Sequence, residues 1–191
     1  MDFTHRHTLY HNHCKQLIGL QLVKAKYAEL LHQSAEPNYK THFADIDTVG
    51  YSVFLYSRNN DVVEFWWDSH FVQYEVGLKI NEFGPSPVYQ MWDVSKETVW
   101  KSVISETITD VRIGWQEINT YKPGSGILGL KRAPKTVSPQ YIALEFSNGE
   151  TIYISTAQFL SESDDEVVGM TSNLLVTNNE VLATQVGIIA Q

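Results

Sequence analysis

The sequence predicts a β-rich α+β fold built from two repeated antiparallel β units, each with about one helix, related by pseudo-two-fold symmetry. Three observations lead to this reading. Segments on either side of residue 95 resemble one another in the same order. Short runs of alternating apolar residues are bounded by turn signals. One capped helical stretch lies near the C-terminus.

The similarity between the halves comes first, because a repeat changes every local assignment. Leu20–Leu30 aligns with Ile108–Ile118 at an offset of 88, so that Val23 meets Val111 and Tyr27 meets Trp115. Ser52–Ser57 aligns with Ile142–Ser147 at an offset of 90, and Phe65, Trp66 and Phe71 align with Tyr153, Ile154 and Phe159. A fourth block sets Val94–Trp100 against Val176–Leu182. The expected units are therefore residues 1–95, including an N-terminal histidine-containing arm, and residues 96–191, packed as one globular body.

Within each unit a short apolar helix or turn (Cys14–Ile18, Thr98–Ile104) precedes a first strand. A long connection and a hairpin follow. The second hairpin is the clearest local signal. Tyr141–Ser147 and Glu150–Ser155 alternate in polarity around Asn148-Gly149, a pair that suits the two positive φ angles of a type I′ turn. The corresponding turn in the first half, Arg58–Asp61, reads as two residues longer. A later strand (Val88–Val94, Leu174–Val176) leads to a helix. Thr177 and Glu180 have capping-box spacing at the start of a helix over 178–186, and Gly187 is placed to stop it.

Composition narrows the function classes. The chain of 191 residues is 43% hydrophobic and 19% charged, as expected of a globular protein. The net charge of −8 divides evenly, with seven Lys/Arg and eleven Asp/Glu in each half. Neither half is a basic arm, so nucleic acid is not an expected partner. The single cysteine, Cys14, excludes a disulfide within the chain and suits a reducing compartment. The N-terminus has no basic stretch followed by an apolar one, and no apolar run approaches the ~20 residues needed to span a bilayer. The expectation is a cytoplasmic protein with no membrane partner.

Several motifs invite chemical readings. His5, His7, His11 and His13 are weak candidates for metal ligands, since imidazole suits zinc, copper or nickel. They lack an evident carboxylate or second shell, and a surface arm is the better expectation. Gly124–Gly129 is formally G-x-G-x-x-G. A dinucleotide loop needs a helix directly after it, and Pro134 and Pro139 forbid one. The stretch reads instead as a basic excursion carrying Lys122, Lys131, Arg132 and Lys135. Ser161–Glu166 lacks the glycine and ligand spacing of a calcium loop and reads as a solvated acidic loop. No motif implies a cofactor.

Phe65–Phe71 places Trp66 and Trp67 on opposite faces of a strand, so one ring must face a second layer, a ligand or a partner. Asp68 and His70 share a face, but Ser69 points away, and no triad can be built there. The leading expectation is a non-catalytic, acidic, protein-binding module. Small, acidic, motif-poor immunity-type or inhibitor-type proteins share that profile, as an analogy of type only. The alternative is a small-molecule-binding protein or enzyme with a pocket between the halves. Trp66, Trp67, His70, Trp92 and Trp115 are the candidate binding residues in either case.

Overall fold

A computed structural model describes residues 3–31, 36–82, 88–118, 121–123, 130–132 and 135–189. A helix α1 (Phe3–Cys14) and a single 3₁₀ turn (Lys15–Leu17) precede six strands: β1 (Leu22–Leu30), β2 (Ile46–Val49), β3 (Ser52–Ser57), β4 (Val62–Asp68), β5 (Glu75–Ile80) and β6 (Tyr89–Asp93). Eight more follow: β7 (Ile108–Ile118), β8 (Tyr121–Pro123), β9 (Leu130–Arg132), β10 (Thr136–Phe146), β11 (Thr151–Ser155), β12 (Ala157–Phe159), β13 (Val167–Gly169) and β14 (Leu174–Thr177). Helix α2 (Glu180–Gln185) lies near the C-terminus.

The strands form two five-stranded antiparallel sheets, β5-β4-β3-β1-β6 and β2-β14-β11-β10-β7, with two small ribbons, β12-β13 and β8-β9. Alternation turns Val53, Leu55, Val63, Phe65, Val76 and Leu78 of the first sheet to one side. It turns Ile142, Leu144, Ile152, Ile154, Leu174 and Val176 of the second the same way. All of these are buried in one core that also holds Trp100, Tyr27 and Cys14. The two sheets therefore stack over a shared interior, as sheets with one apolar face do. A second cluster, with Ile46, Leu175, Ala183, Val186 and Ile188, seats α2 on the outer side of the second sheet.

The observed register corrects the sequence alignment. Val23 is exposed while Val111 is buried, so these two are not placed alike. The cause is a bulge near the start of both long strands, between Leu22 and Lys24 and at the Ile108–Asp110 step. One extra residue lets Leu22 and Ala25, or Ile108 and Val111, face inward together.

The hairpin turns also differ from expectation. Phe146 N–H donates to Glu150 O and Gly149 N–H to Phe146 O, and Gly149 takes φ 86°. Ser57 N–H donates to Asp61 O and Asn60 N–H to Ser57 O, with Asn60 at φ 67°. Each is a three-residue loop with one left-handed residue at its end, not a type I′ turn. The two turns are equally long, so the extra pair of residues expected in the first is not there.

Other differences have clear causes. Val88–Val94 and Leu174–Val176 are not placed alike: β6 pairs with β1 at one edge, whereas β14 pairs with β11. The strand beside β4 is β5, which lacks a turn signal before it. No helix follows β6; the chain makes a series of turns from Ser95 to Ser105. Helix α2 is capped by Asn179, whose side chain accepts from Leu182 N–H, while Thr177 Oγ1 accepts from Asn179 N–H. Gly187, at φ 89°, stands just past the helix as expected.

The two halves meet along a short antiparallel seam centred on the Gln21–Thr107 bridge. Gly19 N–H donates to Ile108 O at 2.8 Å, and Ser105 N–H to Leu22 O at 2.7 Å. Leu22 N–H donates to Glu106 O at 2.9 Å, and Ile108 N–H to Leu20 O at 3.0 Å. Gly19 (φ 93°) and Ser105 (φ 77°) are both left-handed. The sheets do not divide along residue 95, however: β2, from the first half, forms an edge of the second sheet beside β14.

Close approach explains two strand glycines. Gly77 lies directly opposite Trp66, and a Cβ there would sit 2.8 Å from Asp68 Cβ and 2.9 Å from the indole. Gly114 lies opposite Tyr141, whose ring occupies the space a Cβ would need. Gly114→Ala is expected to cost about 1–3 kcal/mol through this overpacking. In a Tyr141→Ala background the added cost should fall to about 0.5 kcal/mol or less, because the pair is coupled. Urea denaturation of the four proteins measures it.

Candidate functional site

Helix α1 has little amphipathic character, and its position is set by a few anchors. Tyr10 and Cys14 stand one turn apart, the spacing that puts two side chains on one face. Cys14 is fully buried, and burial pushes its thiol up to about 12, which keeps it a neutral, unreactive core group. Tyr10 donates its hydroxyl to Val76 O, and His13 Nε2 donates to Leu78 O at 3.1 Å. Both acceptors lie on β5, an edge strand, so the helix covers that edge.

The other side of α1 meets β7. After its bulge this strand turns Val111, Ile113 and Trp115 inward, and Asp110, Arg112 and Gly114 outward. Trp115 stacks on His7 with ring centres 4.1 Å apart, and Tyr10 and Phe71 meet it edge-on at 5.9 and 5.6 Å. The Glu75 carboxylate accepts the Phe71 and Val72 N–H groups and so holds the loop that carries Phe71.

Between α1 and β7 runs an open groove of about 520 Å³. His11 lines it from α1, Lys15 from the 3₁₀ turn, residues 110–113 and Trp115 from the strand, and Tyr141 from β10. Arg112 Nε pairs with Glu145 at 2.6 Å on the outer face. Lys15 and Arg112 are the cations of the groove's lining and Asp110 its carboxylate; Glu145 meets the Arg112 charge and leaves Lys15 free among the described residues.

A second cleft, of about 530 Å³, lies between Lys40–His42 with Thr48 on one side and Phe159, Ser161 and Glu162 on the other. His42 Nε2 is 3.6 Å from Asp165, and its ring packs on Phe43 and Phe159. Behind Lys40 lies a polar chain that penetrates the core. Trp100 Nε1–H donates to Tyr27 OH at 2.7 Å, and Tyr27 donates to Asp47 Oδ2 at 2.9 Å. Lys40 Nζ joins Asp47 (3.1 Å) to Glu97 (3.0 Å). Burial pushes the Asp47 carboxyl up, with Lys40 pulling the other way. Burial, and then the Asp47 charge, hold the Tyr27 phenol well above its ordinary value.

The five aromatic candidates from the sequence do not converge. Trp66 and Trp67 are half-buried on opposite faces of β4. Lys79 Nζ stands 4.0 Å over the Trp66 ring, and Trp67 tilts against Tyr74. Trp92 donates to Glu29 Oε2 at 2.6 Å. His70 is exposed, its carbonyl accepts from Arg6, and its ring meets Phe71 edge-on. Of the five, Trp115 lines the groove beside α1.

The histidines lie on a helix and not on an extended arm: His5 is exposed, His7 stacks on Trp115, His11 lines the groove and His13 holds β5. Among the described residues no three His, Cys, Asp or Glu side chains come together as a metal site. Gly124–Gly129 lies outside the described residues. No helix among the described residues is long and apolar enough to cross a membrane.

Sequence reasoning missed Lys15, Arg112 and Tyr141, and the whole chain from Trp100 to Lys40. The one available signal was Asp47 in Ile46-Asp-Thr-Val49, a carboxylate in phase with an apolar position. No family model matches the chain, and neither does any curated protein or solved structure.

Proposed function

We propose that the chain is a non-catalytic protein-binding module, and that the groove along β7 takes the partner. The observation that carries the reading is the groove's composition. A half-buried tryptophan lies beside the edge of a long strand, and Lys15, His11 and Arg112 flank it in a chain of net charge −8. Tryptophan and arginine are the residues that most often dominate binding energy at interfaces.

The same reading takes the chain as a duplicated β unit, residues 1–95 and 96–191. What supports it is the reciprocity of the seam: Gly19 with Ser105, Leu20 with Glu106 and Leu22 with Ile108 make equivalent bonds at a constant spacing of 86. The β3–β4 and β10–β11 turns share one bonding pattern at a spacing of 89. The groove is then a surface between the two units, since α1 belongs to one and β7 to the other. Nucleic acid and membrane remain outside the proposal, and the lone Cys14 suits a cytoplasmic setting.

The test is quantitative co-purification of the tagged chain from its native source, with wild type and a Lys15→Glu/Arg112→Glu variant side by side. A stoichiometric partner retained by the first and depleted at least about tenfold with the second is the expected result, as for charge reversal at an interface. A partner bound equally by both would move the site elsewhere.

The second cleft favours the other reading, a small-molecule site between the halves. Its size falls within the usual range of ligand pockets, and Lys40 and His42 face Phe159 and Glu162 across it. Shifts of the His42 ring resonances on adding members of a fragment collection would favour that reading.

A further inference from the structure

We infer that the outer edge of β7 accepts an extended, carboxylate-bearing segment of another protein as an added strand, an inference that rests on the binding reading above. Strand edges expose unpaired backbone donors and acceptors, and proteins cover or blunt them because they recruit other strands. In this fold the covering is selective. The β5 edge is closed by Tyr10 and His13 of α1. The β2 edge is closed by the preceding segment, through Thr48 N–H to Tyr39 O at 2.6 Å and the Lys40–Asp47 bridge. The β6 edge is short, at five residues. Strand β7 is eleven residues long. Ile108 meets Gly19 and Leu20, and beyond it no backbone pairs with the outer edge among the described residues.

The groove follows that edge. Residues 110–115 span roughly 17–20 Å at about 3.3 Å per residue, which is the length of an ordinary strand of five or six residues. Backbone pairing to an edge supplies affinity, and pockets for alternate side chains supply specificity. Here one set of alternate side chains would meet Ile113, Trp115 and the flank of α1. The other set would lie beside Arg112 and the Tyr141 ring. Charge selects the occupant: Lys15 is exposed and has no partner among the described residues, so it is available to a carboxylate, whereas the Arg112 charge is met by Glu145 and Asp110 is the carboxylate among the lining residues. At physiological salt a charge acts over about 8 Å, so Lys15 acts on an occupant of the groove while the distant net negative charge does not.

The experiment pans a phage-displayed library of random peptides, about twelve residues long to exceed one strand, against the full chain. The strongest binder is then followed by amide hydrogen exchange and fluorescence anisotropy. The expected winners alternate apolar residues with Asp or Glu and slow exchange in residues 110–116 at least about tenfold. Their affinity should fall at least about tenfold with Lys15→Glu, a substitution at an exposed site whose folding is checked by its thermal transition. Peptides that bind in a Lys15-dependent way but leave 110–116 exchange unchanged would overturn strand addition and leave the binding reading intact. Failure of any peptide to enrich over the panning control, or indifference of the winners to Lys15→Glu, would overturn both. Light scattering that shows a dimer with 110–116 already protected would make a second copy the occupant and overturn the inference as well.

Discussion

Replacing Trp100 by alanine is expected to destabilise the protein by about 3–5 kcal/mol, the usual cost of removing a large aromatic side chain from a packed core. Trp100 is fully buried, and it is the largest side chain in that state. Two losses combine. The indole fills the end of the shared interior near Tyr27 and Val99, and its Nε1–H is the donor that satisfies the Tyr27 hydroxyl. Trp100→Phe separates them. It keeps most of the ring and leaves Tyr27 without its donor, so a loss of about 1–3 kcal/mol is expected. Urea unfolding followed by circular dichroism reads both, and a near-wild-type midpoint for Trp100→Ala would contradict the packing described.

The second large effect concerns Asp47. Its carboxylate is wholly buried and held by Tyr27 and Lys40. Asp47→Ala should cost about 1–3 kcal/mol, because it leaves the buried Tyr27 hydroxyl without its acceptor, whereas Lys40 is half-exposed and keeps Glu97. The pH dependence has a definite sign. Burial holds the folded carboxyl above its ordinary 3.8, so between 3.8 and the raised value the native state carries more protons than the unfolded state. Stability from this group therefore falls as pH rises through that window and recovers as pH falls. Relative to Asp47→Asn, which does not titrate, the wild type should gain stability on acidification through the window. Parallel denaturation series across acid pH measure the difference, and parallel curves would exclude it.

The parts of the fold legible in the sequence are those decided by local chemistry. Alternation in Val53–Ser57 and Ile142–Phe146, with Asn59-Asn60 and Asn148-Gly149 between strands, marks both central hairpins. Gly187 marks the end of the last helix. The parts that escaped depend on distant partners. Helix α1 has no apolar period to announce it; Tyr10 and His13 hold it on carbonyls more than sixty residues away, and tertiary contacts override weak propensity. Strand β5 carries a glycine, which weakens the strand signal, and Trp66 lies over it. The type I′ expectation failed because Asn148 did not need a positive φ once Gly149 supplied one. Trp115 was recognisable as a candidate binding residue, but its groove was not. The opposite wall is α1, held in place by carbonyls of β5 that lie far away in sequence.

The position of β2 has a consequence for how the chain emerges from the ribosome. Val49 pairs with Leu174, so apart from the segment just before it this strand has no neighbour in its sheet until 125 further positions have been translated. At about 5–20 residues per second that is a wait of roughly 6–25 s. For that time Ile46 and Val49, both fully enclosed in the finished molecule, belong to a segment whose sheet has not yet been made. Premature release of a nascent chain before Leu174 would leave an edge strand waiting for a neighbour, and such fragments should be the ones that chaperones retain.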